Sequence, residues 1–193
     1  MSQTLLLTGR PGVGKTTLVR RVVGQLGRPA GGFYTRELRQ RGRRVGFDIV
    51  TLAGEQATLA HVDIHSRQRV GKYGVDVAAL DRVGVPAVRR ALEASALVVV
   101  DEIGKMELFS AAFKAAVLDA LDGPNAFLAT ITRSRHPWAD RIKRRDDVKL
   151  IQVTQENRDA LVAHLVRRLA GGAGSDAEKS EAGHKVPGQC SKN

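Results

Sequence analysis

LLLTGRPGVGKTTL, residues Leu5 to Leu18, joins a strand signal, a turn signal and a helix signal without a break. Leu5 to Leu7 are a short apolar run of the kind that forms a buried strand. From about Lys15 onward, Leu18, Val19, Val22, Val23 and Leu26 recur on one face of a helix. Gly27 and Pro29 end that helix. Between strand and helix, Gly9-Arg10-Pro11-Gly12-Val13-Gly14-Lys15-Thr16 matches G-x-x-x-x-G-K-[ST], in the strand-to-helix context that this motif requires. Glycines allow the tight turn and the close approach, and backbone N–H groups at a helix N-terminus then point at phosphate oxygens. Lys15 is expected to reach the β- and γ-phosphates, Thr16 to hold Mg²⁺ through its hydroxyl, and Thr17 to support the α-phosphate side. The dinucleotide pattern G-x-G-x-x-G is absent at this turn, which disfavours a nicotinamide cofactor.

A magnesium nucleotide needs a second anchor for its metal, and P-loop enzymes place an Asp at the tip of a neighbouring apolar strand. Ala96–Val100 is a continuous apolar run that leads into Asp101 and Glu102, so Asp101 is the expected metal ligand. A carboxylate at Glu102 can polarise a water for attack on the γ-phosphate, which makes it the candidate general base. A strand-ending Asp and a turn-capping Glu are the plain alternatives.

The remaining pattern is that of a three-layer α/β domain. Phe33–Leu38, Val45–Leu52 and Thr58–Ala60 read as the strands of a β-meander inserted in the sheet, separated by Arg-Gly and Ala-Gly-Glu turns. After a loop holding Arg69–Gly74, a helix is expected over about Pro86 to Ala94. Another runs from an N-cap at Ser110 to Gly123-Pro124, and a strand follows over Ala126–Ile131. Leu150–Val153 and a helix from Thr154 to about Leu169 complete the body. Strands alternating with helices indicate a mostly parallel sheet. The domain is expected over residues 1–170, with a flexible tail over 171–193, where apolar periodicity is lost and three acids balance three lysines. The first ten residues carry no signal-peptide pattern, and no run of about 18 apolar residues occurs, so a soluble, cytoplasmic chain without a membrane partner is expected. The one cysteine, Cys190, has no partner for a disulfide, and the five histidines show no metal-binding spacing.

GRPGVGKTTL, GGFYTRE, RVGKYGV, VVVDEIGKMEL, DVKLIQVT and ENRD occur in this order from Gly9 to Asp159. In these segments the chain resembles the THEP-type nucleoside-triphosphatase family, also called cancer-related nucleoside triphosphatase. The resemblance implies a RecA-like P-loop domain whose sheet is extended by antiparallel strands, and slow hydrolysis of several nucleoside triphosphates to diphosphates. Its nucleotide-binding segments fall on Gly9–Thr16 and on Leu97–Gly104, which brings Ile103 and Gly104 to the site beside Asp101 and Glu102. Lys105 lies in the same signature, either to stabilise charge on the transferring phosphoryl group or to pair with Glu107 at the surface. Arg69, Lys72, Arg133 and Arg158 are further cationic candidates. Asn157 and Arg158 open the last helix, where contact with the base and ordinary capping by Thr154 and Asn157 both fit.

The formal charge of +11 comes from 31 Lys and Arg against 20 Asp and Glu, and it favours polyanionic partners. Arg36, Arg39, Arg41, Arg43 and Arg44 form one cluster. Arg133, Arg135, Arg141, Lys143, Arg144 and Arg145 form another. Aromatics make up 4% of the chain and do not interleave with either cluster, which leaves base stacking on a single strand without support. Three functions therefore stand: a magnesium-dependent triphosphatase, a nucleotide or nucleoside kinase with residues 133–145 as its lid, and a nucleic-acid-binding protein with a triphosphatase switch. Glu102 favours the first. A P-loop reads phosphates rather than the base, so neither base preference nor subunit number is written in these motifs.

Overall fold

A computed structural model describes residues 3–94 and 96–170. The Leu5–Leu7 strand is β1 (Thr4–Gly9), and the helix after it is α1 (Lys15–Gln25). The next strands are β2 (Ala30–Gln40), β3 (Arg43–Thr51) and β4 (Gln56–His61), followed by a small hairpin of β5 (Arg69–Val70) and β6 (Tyr73–Val75). Two helical segments, α2 (Val77–Ala79) and α3 (Val85–Glu93), are joined through a π-helical stretch, Leu80–Gly84. Then come β7 (Leu97–Ile103), α4 (Ala111–Asp122), β8 (Phe127–Ile131), α5 (Pro137–Lys143), β9 (Val148–Val153) and α6 (Arg158–Ala170).

Among the described residues the strands form one sheet in the order β5-β6-β4-β3-β2-β7-β8-β1-β9. From β2 to β9 every neighbouring pair is parallel, whereas β3, β4, β5 and β6 are added antiparallel beyond β2. The parallel strands are apolar on both faces, as strands covered by helices on both sides must be. Leu5 and Leu7, Leu97 and Val99, and Leu128 pack with α1 and α6. The alternate residues Leu6, Val98, Val100, Phe127 and Ala129 pack with α3, α4 and α5. The period of two along each strand thus separates two core layers, one on each side of the sheet.

Several sequence expectations are corrected at their edges. The β-meander is not inserted in the sheet but extends one side of it, because β2 pairs with β7 through one edge and with β3 through the other. The Arg69–Gly74 loop contains the β5–β6 hairpin, too short for periodicity to reveal. The helix expected from Pro86 is preceded by helical turns from Val77, which Asp76 caps by accepting the Ala79 N–H at 2.9 Å. Strand β7 runs beyond Val100 and includes the acidic pair. Helix α5 was not read from the sequence. Ser110 does cap α4: its hydroxyl oxygen accepts the Phe113 N–H at 2.8 Å and donates to Asp81 in the π-helical stretch. Thr154 and Asn157 cap α6 reciprocally, at 2.8 and 3.3 Å. The tail expected over 171–193 lies outside the described residues.

Phe113 of α4 is fully buried and meets Phe33 of β2 with ring centroids 6.0 Å apart, locking the helix layer to the strand where the two parts of the sheet join. Phe113→Ala is expected to destabilise the fold by about 3–5 kcal/mol. The check is a lower urea midpoint with an unchanged m-value; an unshifted midpoint would contradict this packing.

Candidate functional site

The parallel strands β1, β8 and β7 end on the same edge of the sheet, which is where α/β folds place their ligands. The loop from Arg10 to Gly14 leaves the end of β1. Gly14 adopts φ 100°, a left-handed conformation that L side chains rarely adopt, and this turns the chain into α1. Arg10, Pro11, Gly12 and Thr17 are exposed, Val13 is tucked into the core, and Lys15 and Thr16 are half-buried. Lys15 Nζ lies 3.4 Å from the Gly9 carbonyl and 4.0 Å from Glu102 Oε2. Strand β8 lies between β1 and β7, so the acidic pair faces the loop across one intervening strand.

Asp101 is 1% exposed. Thr130 Oγ1 on β8 donates to its Oδ1 at 2.5 Å. Its other oxygen, Oδ2, is buried without a hydrogen-bond partner among the described residues. Burial pushes this carboxyl above its ordinary range, opposed by the Thr130 and Thr16 hydroxyls and by the Lys15 charge. Thr16 is thus close enough to favour the ionised form, although it closes no hydrogen bond of normal geometry. Glu102 is also raised, first by burial and then by Asp101, with Lys15 opposing. A carboxylate moved toward neutral pH is suited to taking a proton.

Divalent magnesium takes oxygen ligands and keeps several waters, usually with one or two carboxylates and substrate phosphates. The orphaned Asp101 Oδ2, on a carboxyl that the Thr16 hydroxyl also favours in its ionised form, fits such a cation. Among the described residues no cluster of three or more His, Cys, Asp or Glu is placed to hold a metal, so the remaining oxygens would come from phosphate and water.

Two residues beside the site were misread or missed in the sequence. Glu107 does not pair with Lys105 at the surface. It is 4% exposed, and its Oε2 accepts the Gly104 N–H at 3.1 Å. A β-carbon at Gly104 would come within 2.8 Å of Glu107 Oε2 and 3.2 Å of Glu102 Oε1, so a larger residue there would displace the two carboxyls that flank the backbone. Burial pushes the Glu107 carboxyl up to about 8, with the Glu102 charge adding to the effect. Thr130 was missed; its one signal was a hydroxyl within the apolar run of β8.

The accessory cations are not brought against the acids. Lys105 and Arg133 are exposed, with no ion pair or side-chain hydrogen bond among the described residues. Arg158 instead reaches the P-loop from the start of α6, donating from Nη1 to the Val13 carbonyl at 3.3 Å. With Gly14, Thr17, Leu18, Arg21 and Asp159 it lines a cavity of about 240 Å³. Much of the Arg-rich surface is internally paired: Arg36 with Asp48, Arg39 and Arg44 with Glu37, and Arg145 with Asp122 and Asp147.

A family model described as NTPase matches residues 4–166. The nucleoside-triphosphatase THEP1 of Thermotoga sp. (strain RQ2) is 44% identical over 165 residues, covering 86% of this chain and 94% of that protein. The human cancer-related nucleoside-triphosphatase is 43% identical over 182 residues, covering 86% and 96%. The crystal structure of THEP1 from Aquifex aeolicus superposes with a TM-score of 0.80 at 37% identity, covering 86% of this chain and 99% of that one. This chain belongs to the NTPase family, and its three-layer α/β fold is that of a P-loop NTPase.

The Glu107 carboxyl makes stability depend on pH in a defined direction. Between the ordinary carboxylate range near 4.5 and about 8 the unfolded chain has lost a proton that the folded chain keeps, so stability falls as pH rises through that window. Glu107→Gln is expected to flatten the fall, gaining on the wild type by an amount on the order of a few kcal/mol between pH 5 and pH 8. Parallel slopes in urea melts of the two proteins would contradict a buried neutral acid.

Proposed function

We propose that this member of the NTPase family hydrolyses nucleoside 5′-triphosphates to diphosphate and phosphate with magnesium, slowly and with broad base tolerance, through one domain over residues 1–170. The observation that carries the reading is the half-satisfied Asp101 beside Thr16, with the proton-accepting Glu102 held 4.0 Å from Lys15. Backbone N–H groups over Gly9–Thr16 bind the phosphates, and Lys15 neutralises the β- and γ-oxygens. Thr16 and Asp101 Oδ2 would hold magnesium, which when bound supplies positive charge to the phosphate oxygens. Ile103 and Gly104 carry the strand past the acids, and the Gly104 N–H fixes Glu107 behind Glu102.

Glu102 takes a proton from water as the water oxygen bonds to the γ-phosphorus. The bond from that phosphorus to the bridging oxygen breaks, leaving the electron pair on the diphosphate. Among the described residues Lys15 is the cation paired with Glu102, and no arginine is set against the acids. P-loop enzymes without an arginine finger are slow, which supports low turnover. Arg158 beside the open cavity at Thr17 offers a flat cation rather than a set of base-edge hydrogen bonds, which supports tolerance of the base. A cytoplasmic location belongs to the same reading, since this substrate class is supplied there. Among the described residues no helix is long and apolar enough to cross a membrane.

Phosphate release from ATP, GTP, CTP and UTP tests the proposal. It is expected to require Mg²⁺ and no acceptor, and to fall at least about a hundredfold in Glu102→Gln with little change in triphosphate affinity. Turnover seen only with an added nucleoside or monophosphate, the γ-phosphate ending on it, would replace hydrolysis with a kinase reaction.

A further inference from the structure

A second pocket, of about 350 Å³, opens beside the acidic strand and plays no part in the reaction described above. Three separate segments build it. Arg69 and Gly71 come from the β5–β6 hairpin, Lys105 and Phe109 from the chain after β7, and Arg135 and His136 from the chain after β8. No carboxylate is among its lining residues. The Arg69 guanidinium is steadied by the carbonyls of Ile64 and Lys72, at 3.5 and 2.8 Å, so its charge is positioned but not neutralised there. Lys105 and Arg135 form no ion pair among the described residues, unlike Arg36, Arg39 and Arg44 of the β2–β3 hairpin. The Nδ1 of His136 is buried and has no hydrogen-bond partner among the described residues.

Converging cations without acids concentrate a positive field that attracts anions. The pocket also has an apolar side, formed by Val70, Leu108 and Phe109. Phe109 is 42% exposed, one of two large hydrophobic side chains so placed among the described residues. An open aromatic ring beside unpaired cations suits a ligand with both a flat π-face and a phosphate. The volume lies within the range of about 300–1,000 Å³ for small-molecule sites. Lys105 stands three residues beyond Glu102, which puts the pocket at the same strand-end edge as the P-loop.

We propose that this pocket binds a nucleoside monophosphate alongside the triphosphate, its phosphate held by Arg69, Lys105 and Arg135 and its base resting on Phe109. The proposal rests on the triphosphate occupying the P-loop. The full chain is therefore first saturated with Mg²⁺ and a β,γ-imido triphosphate, whose binding is measured separately. AMP, GMP, CMP, UMP and inorganic phosphate are then titrated by calorimetry, with the fluorescence of Trp138, the one tryptophan, followed in parallel. The expected result is saturable binding of one monophosphate per loaded chain, weakened about tenfold or more by Arg135→Ala and by Phe109→Ala, with imido-triphosphate affinity kept. Absence of monophosphate binding to the loaded chain overturns the proposal while leaving the P-loop reading intact. So does binding that both substitutions leave unchanged. Inorganic phosphate binding as tightly as the monophosphates, with Phe109→Ala silent, overturns the assignment of the base. Failure of the imido triphosphate itself to bind would remove the P-loop reading and this proposal together.

Discussion

Asp101 stands near the end of a central strand with one oxygen bonded to Thr130 and the other without a hydrogen-bond partner among the described residues. A buried carboxylate in that condition is expensive unless something positive answers it. What surrounds it answers in part: the Lys15 charge and the Thr16 hydroxyl both favour the ionised form, yet burial still dominates. A fold that stops at partial satisfaction leaves room for one more positive group. Under the proposed function that group is a cation carried in with phosphate.

The sheet order makes this arrangement possible. With β8 between β1 and β7, Thr130 reaches sideways to Asp101 while the P-loop approaches from one strand further away. Across the intervening strand, Lys15 Nζ still comes within 4.0 Å of Glu102 Oε2. Behind the acids, Glu107 packs against Gly104 as a largely neutral carboxyl, supporting the backbone of the site without adding a full negative charge to it at neutral pH.

The excess of basic residues resolves into two kinds once the fold is known. Arg36, Arg39 and Arg44 on the β2–β3 hairpin, and Arg145, have carboxylate partners at hydrogen-bonding distance, and as largely exposed pairs they contribute little to stability. Those at the strand-end edge, Lys105 and Arg135, have none among the described residues. A net charge for the whole chain therefore says less about ligands than where uncompensated cations come together.

Much of this protein is carried by local rules that act within a few residues. The spacing from Gly9 to Thr16, the apolar run ahead of Asp101, the cap at Ser110 and the reciprocal pair Thr154 and Asn157 each follow from backbone geometry and short-range hydrogen bonding, so the α/β class and the phosphate loop are legible along the chain. Strand ends and brief elements are less so: β7 continues through the acidic pair, and the β5–β6 hairpin is too short to show a period. The partner of Asp101, the burial of Glu107, the reach of Arg158 to the P-loop and the unpaired state of Lys105 depend on which strands are neighbours and in what register. Those relations are fixed by packing among side chains distant in sequence, including Leu6, Phe33, Phe113 and Phe127 in one core layer. No local pattern encodes that packing, and so the folded chain alone brings these residues to the site.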